Sequence, residues 1–142
     1  MKDDTIPSSI TTPPESGAAP QQQRCLVAVL SRDLFFGMRI RTSLRSLGYV
    51  VAIAQDAPAF AAHLVQGDQR ACLGIVDFNF PVDWPAVRDS VRQGVPIIAF
   101  GPHTDVEGFR AAKLAGVRRV VSNGEFSRSL PDLAQRYAAP RT

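Results

Sequence analysis

The chain has 142 residues, of which 45% are hydrophobic and 20% charged, with a formal net charge of +3. That is enough apolar material for one ordinary domain without disulfide or metal staples, and too small a charge excess to demand a polyanionic partner. Lysine occurs only at Lys2 and Lys113, so the basic side is almost all arginine. Arg39, Arg41, Arg45, Arg118 and Arg119 form no single stripe and no aromatics interleave with them, so nucleic acid is not the expected partner. No signal-peptide pattern follows Met1, and no apolar run approaches a membrane span, so a cytoplasmic protein away from the membrane is expected. Cys25 and Cys72 have no CxxC or zinc spacing around them and open apolar runs, which reads as two reduced, buried thiols.

Residues 1–23 are rich in Pro, Ser, Thr and Gln, with Ile6 and Ile10 the only large aliphatics after Met1. Such a stretch buries too little apolar area to offset its ordering entropy, and the composition predicts a disordered tail. The domain is expected over residues 24–138, with a short C-terminal tail at residues 139–142.

From Arg24 onward, short apolar runs alternate with helical patterns. Residues 25–30 (CLVAVL) read as a strand buried on both faces. Asp33 then caps a helix with Phe36, Ile40, Leu44 and Leu47 on one face, stopped at Gly48. Residues 49–54 form the second predicted strand. A short helix follows over residues 57–66, with Phe60 and Leu64 inward and Gly67 closing it. Residues 71–76 (ACLGIV) are the third strand, ending at Asp77. Trp84-Pro85 opens a helix carrying Val87 and Val91, and residues 95–100 make the fourth strand. Asp105 starts a helix that Gly116 ends. Residues 117–121 are the fifth strand, and the last helix runs from about Ser127 to Tyr137.

Five such units predict an α/β fold: a doubly wound (βα)5 parallel sheet of flavodoxin-like order 2-1-3-4-5. Ligands of these folds sit at the carboxyl ends of the strands. Strand 1 ends there in Ser31-Arg32-Asp33, strand 3 in Asp77 with Asn79 two residues on, strand 4 in Gly101-Pro102-His103, and strand 5 in Ser122-Asn123-Gly124.

With Asp77 closing strand 3 and Ala115-Gly116-Val117 before strand 5, residues 24–137 resemble a response-regulator receiver domain. The resemblance implies four site features. These are an acidic pair after strand 1 for a divalent ion, a phosphoacceptor Asp, a hydroxyl after strand 4 and a Lys after strand 5. Asp77 matches the acceptor. The acidic pair falls on Ser31 and Arg32, with Asp33 one residue further. The hydroxyl position falls on Gly101, with Thr104 three residues beyond, and the Lys position falls on Asn123. Asp33-Leu34-Phe35-Phe36, Phe100-Gly101-Pro102-His103-Thr104-Asp105 and Phe126-Ser127-Arg128-Ser129-Leu130-Pro131 are similar to segments of atypical stand-alone bacterial pseudo-receivers.

Phosphoryl transfer depends on positioning and charge neutralisation, and magnesium on carboxylate oxygens. With most of that equipment absent, the expectation is a degenerate receiver that is not an enzyme. It would bind another signalling protein without phosphorylation, need no cofactor, and hold Mg²⁺ weakly at most, through Asp33 and Asp77. Asp77 would then be a relic, neutralised by Arg32 or capping a turn. The resemblance places the partner face on the fourth helix, fifth strand and fifth helix, around Arg110, Lys113, Arg118, Arg119 and Arg128. Homodimerisation is left open. The main alternative is a single-domain response regulator phosphorylated on Asp77 in a phosphorelay. A third reading is a small α/β hydrolase or ligand-binding domain at the strand ends, with His103 as base, Ser31 or Ser122 as nucleophile and Asp77 as orienter. It lacks a G-x-S-x-G elbow.

Overall fold

Apolar runs too short to be helices pair into a parallel sheet, and the amphipathic segments between them cover its two faces. In the computed structural model, which describes residues 25–66 and 69–140, the order is β1 (Leu26–Leu30), α1 (Leu34–Arg45), β2 (Val50–Ala54), α2 (Ala57–Leu64), β3 (Val65–Gln66), β4 (Gln69–Arg70), β5 (Leu73–Asp77), α3 (Trp84–Arg92), β6 (Ile97–Gly101), α4 (Val106–Ala115), β7 (Arg119–Ser122) and α5 (Asn123–Tyr137). The tail expected over residues 1–23 and the last two residues lie outside the described part. The main sheet runs β2-β1-β5-β6-β7, all parallel, which is the predicted order 2-1-3-4-5 once the two-residue strands β3 and β4 are set aside.

Alternation along the strands splits the core in two. Val27, Val29, Phe100 and Val121 face one side with Ile40 and Leu44 of α1 and Phe126, Leu130 and Leu133 of α5. Ala28, Leu30, Val76 and Ala99 face the other with Phe60 and Leu64 of α2, Val87 of α3 and Ala112 of α4. Phe100 and Phe126 stack with ring centroids 3.9 Å apart, and Phe36 meets Phe100 edge-on at 5.3 Å. Both cysteines are buried, and neither forms a disulfide.

Each helix starts at the carboxyl edge of the sheet with a side-chain cap. Asp33, Asp56, Asp83, Asp105 and Ser122 accept the N–H groups of Phe36, Ala59, Ala86, Gly108 and Glu125. A cap of this kind is worth about 1 kcal/mol, and five of them fix where every loop on that edge leaves the sheet. At the opposite end of α4, Gly116 adopts φ +96°, where its N–H closes the helix onto Ala112 and Lys113.

Three details depart from the sequence reading. Leu47 is 41% exposed rather than part of the buried stripe, because α1 ends at Arg45 and the turn after Ser46 carries Leu47 off the helical register. α2 stops at Leu64, where Val65 turns to extended backbone and starts a small antiparallel ribbon with β4. α5 begins at Asn123, four residues before the predicted start, because Ser122 caps it. Ala139, at the expected start of the C-terminal tail, donates its N–H to the Cys72 carbonyl at 2.8 Å.

Candidate functional site

Register in the sheet brings the ends of β1, β5, β6 and β7 together. Ser31 donates its backbone N–H to Ala54 and is 1% exposed. Its Oγ donates to Asp77 Oδ2 at 2.8 Å and accepts the N–H of Asp33 at 3.1 Å. Asp77, 2% exposed, is the last residue of β5. Its Oδ1 accepts both the backbone N–H of Asn79, at 2.8 Å, and the Asn79 side-chain amide, at 2.7 Å. The first of these is an Asx-type turn. Asn79 and Asn123 then exchange two amide hydrogen bonds, each 2.9 Å. Ser31, Asp77, Asn79 and Asn123 thus form one hydrogen-bonded chain from β1 to the first turn of α5. Hydrogen bonds to a charged group contribute about 1.5–3 kcal/mol each, which offsets the cost of burying a carboxylate.

The other sequence-named residues are arranged differently. Arg32 is exposed, and its guanidinium lies 6.0 Å from the centroid of the Phe80 ring. Among the described residues it makes no ion pair, so Asp77 caps a turn and is not held by Arg32. The Asp33 carboxylate is occupied as the cap of α1, accepting Phe36 N–H at 3.0 Å. Gly101 faces the ring of Phe78, and a Cβ there would stand 2.3 Å from Phe78 Cε1. The hydroxyl position of the receiver pattern is therefore filled by the neighbour of Asp77. His103 is exposed in the turn after β6 and makes no hydrogen bond to Ser31 or Asp77 among the described residues, so the hydrolase constellation is not assembled. On the face around α4, β7 and α5, Arg110 pairs with Glu107 and Arg119 with Glu125, both at 3.0 Å. Lys113, Arg118 and Arg128 are exposed and without an ion pair among the described residues.

A cleft of about 480 Å³ opens beside Asp77, lined among others by Ser31, Arg32, Asp56, Phe80 and Asp83. The fold raises the question of magnesium in it. Among the described residues no three of His, Cys, Asp and Glu are grouped to hold a metal ion. Asp56 and Asp83 are committed to helix caps, both oxygens of Asp77 already accept hydrogen bonds, and Arg32 adds a fixed positive charge to the wall. A hard divalent cation needs oxygen donors that converge on one point, and these residues do not fit it.

Sequence reasoning placed Asp77 and Asn123 at the right edge but missed the roles of Phe78 and Asn79. The signals were there. Asp-x-Asn is an Asx-turn pattern, Ser122-Asn123-Gly124-Glu125 is a capping-box pattern, and glycines at 101 and 108 leave room for one aromatic ring.

This arrangement has the fold of a response-regulator receiver domain. No protein-family model and no curated protein matches the chain by sequence. Solved structures match over most of its length. The chemotaxis protein CheY4 of Vibrio cholerae is 20% identical, with TM-score 0.67, covering 80% of this chain and 98% of that one. The receiver domain of a sensor histidine kinase of Pseudomonas aeruginosa, solved with a magnesium ion in its active-site cleft, is 22% identical, with TM-score 0.67, covering 80% and 97%. A pilus assembly-related protein of Burkholderia pseudomallei is 18% identical, with TM-score 0.67, covering 85% and 96%. At these identities the likeness establishes the fold. Among the described residues no helix is long and apolar enough to cross a membrane.

Proposed function

We propose that this protein is a regulatory module of signal transduction, a degenerate receiver that acts by contact with another signalling protein and not through phosphorylation of Asp77. The observation that carries this reading is the closed state of the acceptor. A phosphoacceptor must present one carboxylate oxygen in line with the donor, while positive charge neutralises the transferred group. Here Ser31 and Asn79 hold both oxygens of a carboxylate that is 2% exposed. The position for a phosphate-contacting hydroxyl is taken up by Phe78, and the position for a lysine carries Asn123, already paired with Asn79. The scaffold keeps a rigid sheet edge and five capped helices, which is what a binding surface requires.

The test is an NMR titration of the whole chain with Mg²⁺ and beryllofluoride. The expected result is no saturating shift around Asp77 at low-millimolar metal. Saturating shifts centred on Asp77 would instead make the chain a phosphorylatable single-domain regulator, the reading favoured by the cleft that opens beside that residue.

A further inference from the structure

The chain's only tryptophan lies outside the Asp77 chain of hydrogen bonds, in a groove between α3 and α4. Trp84, Pro85, Arg88 and Arg92 form one wall, and Ala111 and Leu114 the other, around a volume of about 380 Å³. On α3, Trp84, Arg88 and Arg92 recur every four residues and so make one stripe. Leu114 is 75% exposed, far more than a large aliphatic side chain needs to be on a helix that packs against a sheet. Neither Arg88 nor Arg92 has an ion pair among the described residues, whereas Arg110 and Arg119, on the neighbouring face, both do. Asp89 is the one acid on the groove wall.

We propose that this groove docks an acidic amphipathic helix of the partner protein, an inference that rests on the reading of the chain as an interaction module. Two parallel ridges with a small residue, Ala111, between larger ones leave a trough that the apolar ridge of a third helix can enter. Leucine-like residues at i, i+3 and i+7 would cover Trp84 and Leu114. Carboxylates spaced one turn apart would meet Arg88 and Arg92, themselves one turn apart. Tryptophan and arginine are also the residue types that dominate binding energy at interfaces. The face around Arg118 fits such a partner less well, because its basic residues are partly neutralised within the chain. The exposed Leu34, Phe35 and Met38 on α1 lie on one helix and not along the α3–α4 groove.

Trp84 makes the groove its own reporter. The full chain, in EDTA and without phosphodonor, is titrated with a synthetic peptide of about 18 residues, five helical turns, with leucine on one face and glutamate on the other. A matched peptide carries lysine for glutamate. The expected result is a saturable blue shift of Trp84 emission with the acidic peptide alone. Arg88→Glu with Arg92→Glu, or Leu114→Glu by itself, weakens binding at least about tenfold. Arg118→Glu with Arg119→Glu, an equal charge change elsewhere, leaves binding within about twofold. All substituted side chains are exposed, and unchanged far-UV circular dichroism confirms that each variant is folded.

No saturable shift, or equal loss from both charge reversals, overturns the groove as a docking site. A red shift of free-protein emission on Asp3→Asn, Asp4→Asn and Ile6→Ser would make the chain's own acidic N-terminal segment the occupant and overturn the partner assignment. Because metal and phosphodonor are absent, failure here leaves the reading of Asp77 standing. Beryllofluoride shifts at Asp77 would overturn that reading and leave the groove untouched.

Discussion

Restoring a hydroxyl at Gly101 is the sharpest probe of how the site is built. A Cβ at this position lies 2.3, 2.4 and 2.6 Å from three atoms of the Phe78 ring, all inside the closest approach that carbon atoms tolerate. The ring cannot turn aside easily. Trp84 and Phe109 meet it edge-on at 5.9 and 5.4 Å, and Gly108 is so close that its own Cβ would come within 2.7 Å of the ring. Overpacking of this kind costs about 1–3 kcal/mol, so Gly101→Ser should destabilise by that amount. Without the ring the sign changes. Serine in a strand loses less unfolded-state entropy than glycine, a gain of about 0.5–1 kcal/mol. Phe78→Ala is itself costly, about 3–5 kcal/mol, because the side chain is buried. In that background, however, Gly101→Ser should be neutral or stabilising. The double-mutant cycle therefore predicts a coupling of about 1–4 kcal/mol. Urea unfolding followed by far-UV circular dichroism measures all four corners, avoiding the Trp84 signal that Phe78 perturbs directly. If Gly101→Ser costs the same in both backgrounds to within about 0.5 kcal/mol, Phe78 is not what keeps the position a glycine.

Other outcomes follow from the same reasoning. Removing residues 1–23 should leave Tm unchanged within error, since their composition offers no buried pattern; a large drop would show that the segment packs on the domain. Ser31→Asp with Arg32→Asp should strengthen Mg²⁺ binding, read by NMR shifts at Asp77, while Asn123 still limits any response to beryllofluoride; unchanged metal affinity would mean that the missing acids are not what weakens the site. Burial, and then the Cys72 and Cys25 thiols, hold the Tyr49 phenol above its ordinary value. Between the unfolded value near 10 and the higher folded one, the unfolded chain binds fewer protons. Stability therefore falls as pH rises through that window, and Tyr49→Phe should fall less steeply there in urea unfolding at successive pH values.

The sheet was legible because its strands are short, apolar and bounded by caps. Residues 26–30, 73–76 and 97–100 carry the uniform hydrophobicity of strands buried on both faces, residues 50–54 are as apolar at the sheet edge, and Asp33, Asp105, Gly48 and Gly116 punctuate the helices between them. Element ends were less legible. The start of α5 depends on a hydroxyl, Ser122, whose capping role competes with the loop-like look of Asn123-Gly124. The β3–β4 ribbon is held by a few backbone bonds, and Val65 and Gln66 continue the helical pattern well enough to hide it. At the site, sequence order told which residues reach the carboxyl edge but not where their side chains turn. Arg32 leans over Phe80 and leaves Asp77 alone, a choice between two favourable partners that no one-dimensional pattern records. Phe78 read as an ordinary apolar residue after a strand. Its consequence for Gly101 and Gly108 lies in contacts across 23 and 30 positions of the chain.

The departures from the receiver pattern support one another, and that bears on what the site can be used for. Where the receiver pattern has an acid, Ser31 donates to the Asp77 carboxylate. A lost lysine at position 123 would leave Asn79 without a partner across the cleft, but Asn123 returns two hydrogen bonds to it. A lost hydroxyl at position 101 would leave a void, and the Phe78 ring closes it. Ser31 bonds a buried carboxylate oxygen that would otherwise go unpaired, at a cost of about 1–3 kcal/mol, whereas Asn123 pairs an exposed amide and the Phe78 ring fills space against Gly101. A decaying site would leave that oxygen unpaired. Here both Asp77 oxygens are bonded and the Phe78 ring occupies the space at Gly101, although a cleft opens beside them; on the proposed reading, reverting any one position breaks a contact without assembling the phosphoryl chemistry. The bonded chain from Ser31 through Asp77 and Asn79 to Asn123 ties the start of α1 to the start of α5, and on the proposed function a surface that meets a partner depends on how those helices leave the edge.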